Sequence, residues 1–210
     1  MNLSGPAALP AALLLAVLSA LAVSAISPTD RPTWWLEVFP VLIAVPLLMG
    51  TYRRFPLTPL AYWLIAIHAL ILILGGTYTY AQVPLGFALQ DWLGLARNPY
   101  DRIGHFAQGF VPAVLAREIL ARQLALRGKW LVFVVLSVCL SISAFYELLE
   151  FASALLLGQG AEQFLGTQGD PWDTQWDMTT ALIGAAAALL LLPRWHDRQL
   201  SRLTAPIAEP

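Results

Sequence analysis

The stretch 130–157, W-L-V-F-V-V-L-S-V-C-L-S-I-S-A-F-Y-E-L-L-E-F-A-S-A-L-L-L, decides the fold. It carries two charged residues, Glu147 and Glu150, in an otherwise apolar run. A helix needs roughly 20 mostly apolar residues to cross a bilayer, and this stretch exceeds that length. The rest of the chain agrees. Of its 210 residues 58% are hydrophobic and 12% charged, about half the charge share of a soluble domain. One soluble core of this size cannot bury so much apolar surface, so lipid is the solvent for much of it. Soluble enzymes and disordered tails are excluded. A net charge of −1 gives no basic footprint for nucleic acid. The single cysteine, Cys139, lies inside the quoted run and reads as a small buried hydrophobe.

Working outward, further apolar stretches occupy about 8–26, 34–50, 57–76, 103–121 and 176–192. The stretch at 103–121 is the weakest, because it holds His105, Arg117 and Glu118. Prolines punctuate the joints between stretches. The reading is an all-α, polytopic membrane bundle of about six transmembrane helices in one domain over 1–210, with a basic tail at 193–210. Val23-Ser24-Ala25 resembles a signal-peptidase site. No Lys or Arg precedes it, so the first span reads as a retained helix.

Six spans put nine of the twelve basic residues, from Arg53 to Arg202, on one side. The positive-inside rule makes that side, with both termini, cytoplasmic. Ten of the thirteen acidic residues fall toward the other side. Insertion does not require this second bias, since Asp and Glu contribute little to topology.

Three ionisable pairs sit at helical spacing near that outer side. They are Asp101/His105, Glu147/Glu150 and Asp173/Asp177. Residues three or four apart share a helix face. Charged groups at membrane depth cost roughly 2.5–3.5 kcal/mol each and normally face the bundle interior or mark a functional path. Five carboxylates and one imidazole, without thiolate, suit a divalent Zn, Mn, Mg or Ca ion. His105, Glu147, Glu150 and Asp177 are the candidates for acid/base work. Asp101, His105, Glu147, Glu150, Asp173 and Asp177 are the candidate metal ligands. Arg102 and Tyr146 are the candidate substrate contacts, Arg102 as a phosphate or carboxylate clamp.

Plainer readings stand beside these. Asp101 and Asp173 suit helix N-caps, His105 suits an interior histidine bonded to Asp101, and Glu147 and Glu150 suit salt bridges to Arg97 or Arg102. His68 reads as a packed histidine with a local hydrogen bond. His196 and Asp197 read as a solvated face of the tail. Gly158, Gly160, Gly166 and Gly169 make 158–175 an ordinary outer loop, or else a lid. H-E-x-x-H, G-x-S-x-G, Walker A and C-x-x-C motifs are absent.

The blocks N-P-Y-D-R-I-G-H-F-A-Q-G-F (98–110), S-A-F-Y-E-L-L-E (143–150) and G-T-Q-G-D-P-W-D-T-Q-W-D-M (166–178) resemble the bacterial YjdF-like inner-membrane proteins. The resemblance runs from about residue 35 to 200. It implies a multi-pass protein of the bacterial inner (cytoplasmic) membrane and implies no activity. A more distant likeness is to VanZ-like membrane proteins, on Asp101, His105, Phe106, Glu147 or Glu150, Asp173, Asp177 and Gly184. Those proteins tend to carry Asn four residues after the last Asp, where this chain has Ala181. The likeness suggests cell-envelope work by analogy.

Three functions follow as expectations. The first is an outward-facing acidic/His site that binds or acts on an envelope component, a lipid headgroup or a cell-wall precursor, with a divalent metal as candidate cofactor. The second is a small transporter or an ion or proton pathway. The third is a non-catalytic membrane scaffold whose acids fix helix registry. The lipid bilayer is a partner in each, and nucleic acid in none.

Overall fold

The computed structural model describes residues 7–157 and 167–204, and all regular structure among them is helical. Six long helices follow the apolar stretches: α1 (Ala8–Ser24), α2 (Arg31–Thr51), α3 (Pro59–Tyr78), α5 (Tyr100–Gln123), α6 (Gly128–Leu157) and α7 (Asp173–Leu191). A short turn of 3-10 helix (Tyr80–Gln82) and α4 (Pro84–Leu93) link α3 to α5, and α8 (Pro193–Thr204) follows α7.

Local chemistry sets several starts. Asp30 caps α2, its carboxylate accepting from Thr33 N at 2.7 Å. The Thr58 hydroxyl caps α3 by accepting from Ala61 N. Proline stands in the first turn of α2, α3 and α4, where its missing N–H costs nothing. Gly94 closes α4 in the left-handed conformation at φ 64°.

Helices α2, α3 and α6 are each long and apolar enough to cross a membrane. The pair α7 and α8 passes the same test jointly, bent by 67° at Pro193. At 17 residues α1 is a shorter apolar helix. Large apolar side chains such as Leu15, Ile43, Leu47, Phe133, Leu156 and Leu190 stand exposed on the outside, the pattern of a surface solvated by lipid.

Helix α3 packs on α1, α2 and α5, while α5 packs on α3, α6 and α7. Three apolar clusters result among the described residues, the smallest around Tyr80, Val83 and Tyr100. Val17, Trp34, Val38, Val41, Ala66, Ala69 and Ile73 join α1, α2 and α3. Leu60, Ala113, Val114, Val135, Cys139 and Ala185 join α3, α5, α6 and α7. Cys139 is fully buried, with its thiol toward the Gly109 carbonyl.

The closest helix contact is between α5 and α7. A Cβ on Gly109 would overlap the Ala181 carbonyl, and one on Gly184 would overlap the Phe106 carbonyl. Small residues let two backbones touch, which is how helices gain van der Waals contact in lipid. This contact places the first turns of α5 and α7, with their acids, side by side at one end of the bundle.

The tail differs from the sequence expectation. His196 is fully buried rather than solvated. The bend at Pro193 lays α8 against the bundle. His196 there meets Glu118 Oε2 at 3.1 Å through Nε2 and Arg117 at 3.0 Å through Nδ1. Arg117 also pairs with Asp197 at 2.7 Å. Glu118 further accepts from Thr58 and Arg122. Gln199, on the same face of α8, accepts from Leu60 N. Arg194, Arg198 and Arg202 lie on the exposed face.

Candidate functional site

Most of the ionisable groups singled out in the sequence meet at the end opposite α8. Asp101 and His105 rise from the first turns of α5, Asp173 and Asp177 from those of α7, and Glu147 and Glu150 from the far half of α6. All six are buried. From Gly128, α6 rises about 29 Å to Glu147 and about 33 Å to Glu150, close to the roughly 30 Å thickness of the hydrocarbon layer.

His105 is the hub. Its Nε2 lies 3.5 Å from Asp101 Oδ1 and 3.7 Å from Asp177 Oδ1. Its Nδ1 lies 3.8 Å from Glu147 Oε1 and 3.2 Å from Gln108 Oε1. Two sets therefore share the imidazole, Asp101/His105/Asp177 and His105/Glu147/Glu150, each with ligand atoms within 4.8 Å of one another.

The two sets differ in charge balance. Arg102 bonds Asp177, meets Asp173 at 2.7 Å and stands 3.6 Å from Asp101. Arg97 meets Asp173 at 2.8 Å and Asp101 at 3.6 Å. Both guanidiniums also approach Asp170. The arginines thus tie α5 to α7 through aspartates. Asp173 belongs to this frame rather than to either metal-like set. Neither Asp101 nor Asp173 caps a helix: the cap positions are Pro99 and Trp172.

Around Glu147 and Glu150 a third carboxylate appears that helical spacing missed. Glu37 of α2 is 3% exposed and accepts from the Tyr146 hydroxyl at 3.2 Å. The Tyr80 hydroxyl is a second phenol turned toward it. Tyr80 lies in the connecting turn, where burial, reinforced by Glu37, holds its phenol well above its ordinary pKa and therefore protonated. Its ring fits only because residues 75 and 104 are glycine; a Cβ at either would run into it. Tyr146 also stands edge-on to His105, ring centroids 6.2 Å apart. A cavity of about 20 Å³ lies here, lined by Glu37, Tyr80, Asp101, His105, Tyr146 and Glu150 among others. That is room for one water molecule or one ion.

Among the described residues, Asp101 Oδ2 and Glu147 Oε1 have ion-pair contacts at 3.6–3.8 Å but accept no hydrogen bond, and the buried Ser143 hydroxyl one turn before Glu147 makes none. Buried polar atoms are normally paired, so orphans of this kind ask for an explanation. His68, midway along α3, also has an unpartnered Nε2, which departs from the local bond expected there. Of the 158–175 loop, 158–166 lies outside the described residues. Its far end binds the site, since Thr167 O accepts from Arg97 and Gln168 brackets the Asn98 backbone.

A helical bundle with apolar flanks and a buried polar cluster at one end defines an integral membrane protein. The family model described as "Predicted membrane protein (DUF2238)" matches residues 9–198, and the chain belongs to that family. It is 60% identical over 178 residues to the inner membrane protein YjdF of Escherichia coli (strain K12), across 84% of this chain and 85% of that protein. No solved structure matches. The chain is thus a multi-pass inner-membrane protein. These matches carry the YjdF-like resemblance and leave the VanZ-like one an analogy.

Proposed function

We propose that the protein holds a divalent cation between His105, Glu147 and Glu150 and uses it to bind or act on the phosphate-bearing headgroup of an envelope lipid or cell-wall precursor at the outer face. The observation that carries this reading is the ion-sized cavity beside His105, with Glu37, Asp101 and Glu150 in its wall and Glu147 Oε1 nearby without a hydrogen bond. Buried carboxylates in excess of buried cations are costly unless a proton or a metal ion neutralises them. The Asp101–Asp177 side is already shared with Arg97 and Arg102, so the unneutralised charge lies toward Glu147, Glu150 and Glu37. Oxygen-rich ligands with one imidazole suit Mg, Mn, Ca or Zn. The cavity admits an ion and not a headgroup, so an envelope ligand meets the cation at the mouth of the site.

The test is elemental analysis of protein purified in detergent, stripped with chelator and titrated with each of the four metals. One ion per chain is expected. Glu147→Gln and Glu150→Gln each weaken binding at least tenfold, while Asp91→Asn, on exposed α4, leaves it unchanged. Binding that is absent for all four metals, or indifferent to both glutamate changes, refutes the reading.

A second reading, a proton or ion pathway, draws on His68. Its unpartnered imidazole lies between the acidic end and the Glu118–His196 cluster at the other. Proton flux in proteoliposomes that is lost in His68→Phe would favour it over the cation site.

A further inference from the structure

A different part of the bundle holds a cavity that the polar site does not use. Helices α1 and α2 both pack on α3. At the acidic end they are pinned together by the Trp34 indole N–H donating to Ser24 Oγ at 3.0 Å. Toward the basic end they part, leaving a cleft of about 300 Å³. Leu14, Val45, Leu48, Ile65 and Ala66 are typical of its wall, and Tyr52 and Tyr62 stand where α2 ends and α3 begins.

Protein interiors rarely keep voids larger than a water molecule. An apolar void of this size excludes water and takes apolar guests. Its wall on α1 runs from Ala7 to Val17, about 15 Å along the helix. Volume over length gives a mean cross-section of about 20 Å², the width of one file of methylenes whose carbons keep about 4 Å from their neighbours. The long axis follows the helices, as do lipid tails. Arg53 and Arg54 follow Tyr52 directly. Both are exposed and pair with no acid among the described residues. A guanidinium pair at the basic end suits a lipid phosphate, which it can grip bidentately.

We infer that the cleft between α1, α2 and α3 binds one acyl chain of an anionic phospholipid, whose phosphate is held by Arg53 and Arg54. The lipid is a bound ligand of the fold, independent of the His105 site at the other end.

Native mass spectrometry of the full chain in mild detergent tests this, with phosphatidylglycerol and phosphatidylcholine of matched tails. One retained phosphatidylglycerol per chain is expected. The double change Ala44→Leu with Ala66→Leu fills the cleft and lowers retention at least tenfold. Arg53→Gln with Arg54→Gln abolishes the preference for phosphatidylglycerol and leaves tail binding in place. A phospholipid with a photoreactive group in mid-chain gives a readout on the unaltered protein. Crosslinks should fall on Leu14, Val45 and Ile65, inside the cleft, and not on Leu15, Ile43 and Ile67, which face outward. Crosslinks confined to the outward set, or no retained lipid in the wild type, overturn the inference. So does lipid that enters only after residues 2–6 are deleted, because the chain's own N-terminus would then be the occupant.

Discussion

Removing the Glu118 carboxylate should destabilise the protein more than any other single change at the basic end. Glu118 is 0% exposed. It accepts from Thr58 N at 3.0 Å, from the Thr58 hydroxyl at 2.7 Å and from Arg122 at 2.7 Å, and meets His196 Nε2 at 3.1 Å. These partners belong to the start of α3, the end of α5 and α8, so one carboxylate ties three helices. Breaking a buried charge network by removing one member costs about 3–5 kcal/mol. For a chain of this size that lowers Tm by on the order of 10 °C. Glu118→Ala should show this in a thermal melt followed by tryptophan fluorescence, with Trp195 next to His196 as a local reporter. Glu118→Gln keeps the shape and should fall between. His196→Ala removes one partner and should cost about 1–3 kcal/mol. Because the two side chains touch, the double variant should depart from additivity by at least ~0.5 kcal/mol. An additive pair, or a Glu118→Ala melt within ~2 °C of wild type, would refute this account of how α8 is held.

Three further outcomes follow from the same geometry. Gly109→Leu drives a side chain into the Ala181 backbone; it should cost at least about 1–3 kcal/mol and, by parting α5 from α7, abolish metal retention in the elemental assay. Arg102→Gln removes the arginine from Asp177 and leaves Asp173 with Arg97; the melt should show about 3–5 kcal/mol lost, with Asp177→Asn partly restoring it. Trp34→Phe removes the indole bond to Ser24 and should cost about 0.5–1.5 kcal/mol, while proteolysis at the α1–α2 junction becomes faster.

Apolar run length made the six long helices legible, because lipid rewards one simple property. The three pairs were legible as well, since spacing of three or four defines a helix face and buried charge is costly enough to be placed deliberately. Glu37 was not. It has no acidic partner one turn away, and its role comes from α2 leaning on α3 at Gly76, where a Cβ would sit 3.1 Å from Glu37 Cβ. Asp173 looked equivalent to Asp177, yet two arginines claim it, a distinction made only by how α5 meets α7. His196 was misread because a short basic segment after a proline looks solvated. Nothing local says that the chain turns by 67° and carries the imidazole back to Glu118.

The central position of α5 has a consequence for how the protein is made. This helix carries Asp101, Arg102, His105, Arg117, Glu118 and Arg122, and every one of them finds its partner on another turn or another helix. Charged groups cost roughly 2.5–3.5 kcal/mol each at the bilayer middle on insertion scales and less toward the ends, and these six lie in the first two and last two turns of α5. Arg102 and Arg117 take their partners from Asp177 of α7 and Asp197 of α8, so α5 is the helix whose place in the membrane gains most from segments made after it.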